Sequence, residues 1–167
     1  MTNSPQTPDF TITTKKMLRT QTDILKSWQH CGPEITVSIC CLAYNHEDFI
    51  EDAILGFLDQ KTSFRFEILI NDDASLDTTA EIIREYASLF PDIIKPVFQT
   101  ENKWSQNHPM PDILFRKAKG KYLSWTDGDD FWINENKLEN QITLMKQESD
   151  LAFSFHSVFH KVGNTLT

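Results

Sequence analysis

From Glu34 onward, stretches with the hydrophobic pattern of strands alternate with stretches that have the pattern of helices. Short apolar runs, each followed by a polar break, predict buried strands. The predicted strands are Ile35–Cys41, Phe66–Ile70, Ile94–Phe98, Lys121–Thr126 and Leu151–Phe155. Because strands that alternate with helices imply right-handed crossovers, we expect a Rossmann-like α/β domain with a mostly parallel sheet and helices on both faces.

Apolar residues spaced three and four positions apart predict the helices between these strands. The clearest stripe consists of Ile50, Ala53, Ile54, Phe57 and Leu58. Another helix is expected between Asp77 and Pro91, and a short one over Asp112–Lys119 with Gly120 as its C-cap. A further helix should begin at Asn134, whose side chain is a good N-cap.

Residues 1–33 precede this regular pattern and are predicted to form a lead-in segment. The stretch up to about residue 16 is polar and rich in threonine and proline. Apolar residues within Met17–Trp28 recur at helical spacing and predict a short amphipathic helix. We expect this helix to dock on the domain or on a partner, which includes a second copy of the chain. The folded domain is therefore expected to span residues 34–167.

Composition narrows the classes of function. The chain has 167 residues, enough for one domain with an ordinary core, and a formal net charge of −8, which opposes binding to nucleic acid. No apolar stretch approaches the roughly 20 residues of a membrane span. Three cysteines show neither disulfide nor zinc spacing and are expected to be buried apolar residues. We therefore expect a cytoplasmic protein, at most peripheral to the inner face of a membrane.

Acidic residues follow two of the predicted strands. Asp72 and Asp73 follow the second strand, and Asp127, Asp129 and Asp130 follow the fourth. In open parallel sheets, ligands bind beyond the carboxyl ends of the strands. Crowded carboxylates there need a counter-charge, and Mg²⁺ and Mn²⁺ favour one or two carboxylates together with waters and phosphates. The sequence thus predicts a site for a divalent metal and a phosphorylated ligand.

Each of these features also has a purely structural interpretation. Strings such as residues 127–130 are common in turns, and Asp72-Asp73 could form an Asx turn or cap a helix. Asp77 is better placed for capping, which leaves Asp73 free to accept hydrogen bonds from a base or a ribose. The aromatic ring of Tyr44 could stack on a ligand or pack in the core.

Three segments, taken in order, resemble the landmarks of family 2 glycosyltransferases of the GT-A fold. They are Val37–Asn45 (VSICCLAYN), Asp72–Asp77 (DDASLD) and Asp127–Trp132 (DGDDFW). The resemblance covers about residues 35–160. It implies metal-dependent, inverting transfer of a sugar from a nucleotide diphosphate donor, usually UDP-linked, to an acceptor hydroxyl, as in the synthesis of bacterial surface polysaccharides.

The resemblance also assigns roles to individual residues. It places Ala43, Tyr44 and Glu47 against the nucleotide, Asp73 at the base, and Asp127 and Asp129 in the DXD motif. Of these two, Asp127 would meet the ribose or a metal-bound water, and Asp129 would bind the metal. Gly128 would let the backbone approach the ligand closely. Further candidates for binding the nucleotide sugar are Asp72, Lys103, Asn107, Asp130 and His156.

Two departures from the family pattern shape these expectations. The segment Thr100–Pro111 is long enough for a functional loop, but Pro109–Asp112 stands where the family often has an Arg-Asn pair. Lys103 and Asn107 therefore become the candidates for phosphate or base contacts. The family places its acceptor region and general base beyond Thr167, so no catalytic base can be named, and the chain is expected to be a fragment or a shortened relative.

Two other classes of function fit parts of the pattern. A receiver-like signalling domain also holds Mg²⁺ between carboxylates of a parallel sheet, but its acidic pair should follow the first strand, where this chain has Tyr44-Asn45. The other class is a truncated, non-catalytic protein that either binds a nucleotide sugar or acts as an adaptor, and an adaptor would use Met17–Trp28 to recruit a partner while binding no nucleotide.

Overall fold

The structure is a computed structural model that describes residues 19–106, 110–148, 150–159, 161–162 and 165–166. Its helices are α1 (Gln21–Ser27), α2 (Ile50–Leu58), α3 (Thr79–Leu89), α4 (Met110–Phe115) and α5 (Lys137–Gln147). Its strands are β1 (Ile35–Ala43), β2 (Arg65–Asp72), β3 (Ile94–Phe98), β4 (Tyr122–Asp127), β5 (Lys161–Val162) and β6 (Thr165–Leu166). No described helix has both the length and the apolar content needed to cross a membrane.

Strands β1 to β4 form one parallel sheet in the order β3-β2-β1-β4. Their β-branched and apolar sequences suit a sheet that is covered on both faces, and each crossover carries a helix. The remaining two strands form a separate antiparallel pair. The predicted Rossmann-like α/β fold is confirmed.

The two faces of the sheet are covered unequally. One face packs against α1, α2, α3 and α5 around a large apolar core that includes Ile39, Phe57, Ile68 and Ile83. On the opposite face the buried apolar cluster consists of Cys40, Leu69 and Leu114. Helix α4 supplies the last of these residues, so helices do lie on both faces, as predicted, but one face carries most of the core.

Helix α1 packs on the domain. It begins with a reciprocal capping box in which Thr20 and Asp23 satisfy each other's backbone N–H groups. Ile24 and Trp28 are buried in the main core, and the Trp28 ring meets Phe66 edge to face at 4.8 Å. The helix predicted within Met17–Trp28 therefore exists over its second half and docks on the domain, while residues 17 and 18 lie outside the described residues.

Three local predictions were wrong. The segment Leu151–Phe155 is not a strand, since Phe153 and Phe155 are 73% and 86% exposed and have no sheet neighbour. Helix α4 ends at Phe115, and Gly120 does not cap it but lies against β1, where a Cβ atom would be 2.3 Å from the Ser38 nitrogen. Asn134 precedes α5 by a turn and accepts a hydrogen bond from the Asn136 nitrogen at 2.8 Å instead of capping the helix.

Candidate functional site

The carboxyl ends of β1, β2 and β4 lie side by side. Leu42 of β1 pairs with Asn71 on one side and with Asp127 on the other. Since neighbouring strands are about 4.8 Å apart, the ends of β2 and β4 are separated by roughly 10 Å. The register therefore brings both acidic clusters to one edge of the sheet, as the sequence predicts. We name the connections at this edge loop A (residues 44–49), loop B (73–78), loop C (99–106) and loop D (128–136).

Three acidic side chains crowd the end of β4 and the start of loop D. Asp127, Asp129 and Asp130 are exposed, and no described group donates a hydrogen bond or an ion pair to their carboxylates. Loss of hydration raises the pKa of the Asp127 carboxyl above its usual range, and the charges of Asp129 and Asp130 raise it further. The cluster is therefore electrostatically unfavourable as it stands, and a bound cation would relieve its repulsion.

Gly128 allows loop D to pack against loop A. Its nitrogen donates to the Leu42 carbonyl at 2.7 Å, and an added Cβ atom would lie 2.8 Å from His46 Nδ1 and 3.1 Å from the Leu42 oxygen. The glycine thus permits close packing within the protein. Gly56 has a similar role beneath the loop, because a Cβ atom there would lie 2.9 Å from the Trp132 backbone nitrogen.

His46 is a site residue that the sequence analysis missed. Its imidazole lies beside Gly128, and its charge acts to lower the pKa of Asp127 against the effect of the neighbouring acids. The only signal in the sequence was its position in the polar break after β1. The contact with loop D depends on how β1 and β4 pair, and no local pattern reports that pairing.

Loops A and B are joined by reciprocal hydrogen bonds. The Glu47 carboxylate accepts from the Thr78 nitrogen at 3.1 Å and from its hydroxyl at 2.8 Å. In return, Asp77 accepts from the Glu47 nitrogen at 3.1 Å and from the Thr79 nitrogen at 2.9 Å. Burial acts to raise the pKa of Asp77, but these hydrogen bonds outweigh it and the pKa is lowered. Asp77 thus accepts a hydrogen bond from the first backbone N–H group of α3, as expected of a capping residue, and Glu47 accepts one from the N–H group of the preceding residue.

Each of these two loops contains a residue in the left-handed backbone region. Asn45 has φ 54° and Ala74 has φ 62°. Asn45 tolerates this conformation and also accepts from the Leu76 nitrogen at 2.8 Å. Alanine has no such compensation, and strained non-glycine residues cluster at functional sites.

The acidic cluster after β2 is buried, unlike the cluster at the end of β4. Asp73 is 3% exposed, and its two carboxylate oxygens accept from the backbone nitrogens of Lys103 at 2.8 Å and Trp104 at 3.0 Å. Asp72 accepts from the Ser75 nitrogen at 3.3 Å through one oxygen. The sequence analysis expected Asp73 to be free, whereas in the structure it holds loop C.

Several buried polar atoms at this edge lack a partner among the described residues. They are His46 Nδ1, Asn71 Nδ2 and Asp72 Oδ1. Buried polar atoms are nearly always hydrogen-bonded to protein or water, so each such atom calls for a missing partner. Their grouping at the ends of β1 and β2 is consistent with a polar ligand or ordered water at this edge.

The other predicted site residues are dispersed. Ala43 is buried at the end of β1, and Tyr44 is partly exposed at the start of loop A. The Lys103 ammonium pairs with Glu101. His156 lies in an exposed segment without a preceding strand, contrary to expectation, and its Nδ1 atom is 3.0 Å from the Ser157 oxygen. Asn107 lies outside the described residues.

Within the part of the chain that the structure describes, no three His, Cys, Asp or Glu side chains converge as a protein-only metal site requires. Mg²⁺ and Mn²⁺ do not need such a cage, since one or two carboxylates with waters and substrate phosphates complete their octahedron. Asp127 and Asp129 supply hard oxygen ligands without competing partners. The residues present therefore fit a divalent metal that is shared with a phosphorylated ligand.

The chain is similar to known proteins in sequence and in structure. The sequence model of the family described as "Glycosyl transferase family 2" matches residues 38–166. A relative in Escherichia coli, the UDP-Glc:alpha-D-GlcNAc-diphosphoundecaprenol beta-1,3-glucosyltransferase WfaP, is 32% identical over 123 residues, which are 74% of this chain and 46% of the relative. The chain described here thus spans less than half the length of WfaP.

Two solved structures share the fold. Staphylococcus aureus TarS 1-349 in complex with UDP superposes with a TM-score of 0.59 at 22% identity, over 69% of this chain and 33% of that chain. The mannosyltransferase PcManGT from Pyrobaculum calidifontis, in complex with GDP-Man and Mn²⁺, gives a TM-score of 0.59 at 24% identity, over 67% of this chain and 32% of that chain. Both contain a nucleotide, and one contains a divalent metal.

Proposed function

Since the chain belongs to glycosyl transferase family 2, we propose that it is the donor-binding part of a metal-dependent, inverting glycosyltransferase. The donor is a nucleotide diphosphate sugar, in our proposal UDP-linked, and the sugar passes to an acceptor hydroxyl. The observation that carries the proposal is the exposed acidic cluster of Asp127, Asp129 and Asp130, whose carboxylates receive no hydrogen bond or ion pair from the described residues. Such a cluster is stable mainly when a cation and the diphosphate of a ligand complete it.

Asp129 and Asp127 would hold Mn²⁺ or Mg²⁺ at the end of β4, with Asp130 adding negative charge nearby. The metal would stabilise the charge that develops on the leaving diphosphate. The chain's own contribution is to orient the donor. The packing of Gly128 against loop A fixes loop D against β1, so that its carboxylates face the same edge as loops A and B.

The nucleotide would lie across the ends of β1 and β2. Its base would meet Tyr44 and the region of Asp73, with Ala43 forming the floor between them. Glu47 would act by holding loop A to loop B through its bonds to Thr78. Asp72, whose Oδ1 atom lacks a partner among the described residues, would accept a hydrogen bond from the ribose or an ordered water.

The acceptor in our proposal is a growing bacterial surface glycan, on the analogy of the WfaP relative, whose name specifies an undecaprenol-linked sugar acceptor. Donor and acceptor of that kind would meet on the cytoplasmic side of the membrane, where the protein would be peripheral. Inversion would follow from direct attack of the acceptor hydroxyl on the face of the sugar opposite the diphosphate. None of the described residues at the site is a clear general base for this step.

Calorimetry with UDP in the presence and absence of Mn²⁺ tests the proposal. We expect binding that requires the metal and that falls by about 10- to 100-fold in Asp129→Asn, the range typical of disturbed metal sites. Glu85→Gln, which removes an exposed acid on α3, serves as the control and should bind as the parent chain does. A folded protein that binds no nucleoside diphosphate with metal would contradict the proposal and favour the adaptor hypothesis.

A further inference from the structure

Loop D is attached to the rest of the domain on both sides of its acidic residues. At its start, the Gly128 nitrogen donates to the Leu42 carbonyl of β1 at 2.7 Å. Further along, the backbone of Trp132 lies against Gly56 of α2, where an added Cβ atom would be 2.9 Å from the Trp132 nitrogen. The acidic stretch of the loop thus lies between an attachment to the sheet and a second attachment to α2.

The second attachment contains a buried amide side chain. Gln60, which follows α2, is 1% exposed. Its Nε2 atom donates to the Gly56 carbonyl at 3.2 Å and to the Asn134 carbonyl at 2.8 Å, and its Oε1 atom accepts from the Leu138 nitrogen at 3.1 Å. Both N–H groups and the oxygen of the amide are therefore hydrogen-bonded, as burial of such a side chain requires. The amide joins α2 to the end of loop D and to the start of α5.

The hydrogen bond to Leu138 takes the place of a local helix cap. Helix α5 begins at Lys137, and the residue before it, Asn136, makes no capping hydrogen bond through its side chain. The first N–H groups of a helix have no acceptor within the helix, so each needs one from elsewhere. Gln60 supplies this acceptor from a different element. It therefore fixes the point at which loop D passes into α5.

An exposed ion pair also joins this end of loop D to the residues after α2. The Lys61 nitrogen donates to the Glu135 carbonyl at 2.7 Å, and the Lys61 ammonium lies 2.6 Å from the Glu135 carboxylate. The Lys61 side chain is 57% exposed, and ion pairs at such positions contribute little. We therefore expect the buried amide of Gln60 to hold the loop more strongly than the ion pair does.

We propose that Gln60 is a positioning residue for the metal ligands of loop D. It touches neither the metal nor the donor. It acts by holding the backbone at Asn134, so that Asp129, a few residues earlier in the same loop, keeps one position at the edge of the sheet. Groups that orient metal ligands in this way contribute strongly to metal affinity. This inference rests on the proposed function, because the metal is the one that the proposed donor site would bind.

Titration with Mn²⁺ in the presence of UDP, followed by the electron paramagnetic resonance signal of free Mn²⁺, tests the positioning role. Gln60→Met keeps the length of the side chain and removes its hydrogen bonds to loop D and α5. We expect it to weaken Mn²⁺ binding by about tenfold. A folded Gln60→Met variant that is less stable than the parent chain but binds Mn²⁺ equally well would overturn the proposal.

The matched control for this titration is Ile94→Ala. It removes a buried side chain from β3, the outer strand of the sheet on the side opposite β4. It should lower the melting temperature by creating a cavity, yet leave the affinity for Mn²⁺ unchanged. An equal loss of Mn²⁺ affinity in this control would show that the effect of Gln60→Met comes from lower stability alone, and would also overturn the proposal.

Hydrogen exchange of the ligand-free chain, measured by mass spectrometry, provides a test that needs no metal. In Gln60→Met, the amides of loop D and of Leu138 should exchange about tenfold faster than in the parent chain, because an attachment of the loop is lost. In Lys61→Met, which removes only the ion pair, they should change by less than about twofold. Equal effects in the two variants, or no effect of Gln60→Met, would overturn the role of the amide.

A third variant displaces the same part of loop D and keeps the Gln60 side chain. In Gly56→Ala, the new Cβ atom would lie 2.9 Å from both the nitrogen and the oxygen of Trp132. We expect a loss of Mn²⁺ affinity similar to that of Gln60→Met, and this variant decides the matter if Gln60→Met fails to fold. Unchanged Mn²⁺ binding by folded Gly56→Ala would contradict the proposal.

These outcomes separate the positioning role from the proposed function. If the parent chain binds Mn²⁺ with UDP and Gln60→Met binds it equally well, the positioning role fails and the proposed function stands. If the parent chain binds no Mn²⁺ with UDP, both fail, and the exchange measurement then shows only whether Gln60 holds loop D in the free protein.

Discussion

The two acidic clusters at the sheet edge have similar sequences and opposite environments. Asp73, after β2, is buried and gives both carboxylate oxygens to backbone amides of loop C. Asp129, two residues after β4, is exposed and receives no hydrogen bond from the described residues. The first cluster is therefore built into the architecture of the site, and the second is available to a ligand. The position of a carboxylate after a strand thus predicts the edge of the sheet at which it lies, but not whether it stabilises the protein or remains available to a ligand.

The largest expected effect compares the two clusters directly by alanine substitution. Asp73→Ala should lower the free energy of unfolding by about 2–3 kcal/mol, because two partly buried backbone hydrogen bonds lose their charged acceptor. Asp129→Ala should change it by less than about 0.5 kcal/mol, as is usual for exposed positions. Urea unfolding followed by circular dichroism measures both. Equal losses in the two variants would show that the two carboxylates do not differ in their contribution to stability.

Glycine at position 128 gives the next largest effect. Gly128→Ala should cost about 1–3 kcal/mol of stability, because the new Cβ atom would press on the Leu42 carbonyl oxygen and on His46. Gly32→Ala is the matched control, since a Cβ atom there meets nothing within 4 Å. Thermal unfolding of the two variants gives the comparison, and a Gly128→Ala variant as stable as the control would show that loop D does not pack on loop A.

The two left-handed residues should respond in opposite directions to glycine. Ala74→Gly should raise the free energy of unfolding by about 0.5–1 kcal/mol, since glycine adopts a positive φ without strain. Asn45→Gly should lower it by about 0.5–1 kcal/mol, because the hydrogen bond from the Leu76 nitrogen is lost. Chemical denaturation resolves the two signs. A gain in both variants would mean that the Asn45 side chain contributes nothing to joining loops A and B.

The smallest effect concerns acid stability. The pKa of Asp77 is lowered in the folded chain, so its contribution is present above the ordinary pKa of 3.8 and is lost as the pH falls through the folded value. Asp77→Asn should therefore reduce the melting temperature slightly at neutral pH, and the difference from the parent chain should shrink below about pH 4. Melting curves from pH 3 to 7 test this, and a constant difference would rule out the ionised carboxylate as its source.

The sequence predicted those parts of the fold that local patterns determine. Strands β1 to β4 and helices α2 and α3 were predictable from the apolar pattern. Each of these elements buries apolar residues that recur at the spacing typical of a strand or a helix. Leu151–Phe155 has a similar apolar pattern but no neighbouring strand edge in the described structure, and whether such an edge exists is a property of the whole sheet.

In the candidate site, too, the sequence predicted only those features that depend on local patterns. The position of Asp127 at the edge of the sheet follows from β4, and Asp77 follows from the start of α3. The contact of His46 with loop D and the hydrogen bonds from Lys103 and Trp104 to Asp73 join residues that are distant in sequence. Such contacts arise only when strands pair and loops meet, so no spacing rule could have supplied them.

Because the loops are attached unequally, they differ in how readily they could be exchanged between relatives. Loops A and B share several reciprocal hydrogen bonds, so replacing either loop would disturb the other. Loop C is fastened to loop B chiefly through one side chain, that of Asp73. Loop C is therefore the segment that can be exchanged with least disturbance: a chimaera that keeps Asp73 and replaces residues 101–106 would alter one side of the site proposed for the nucleotide and leave the hydrogen bonds between loops A and B intact.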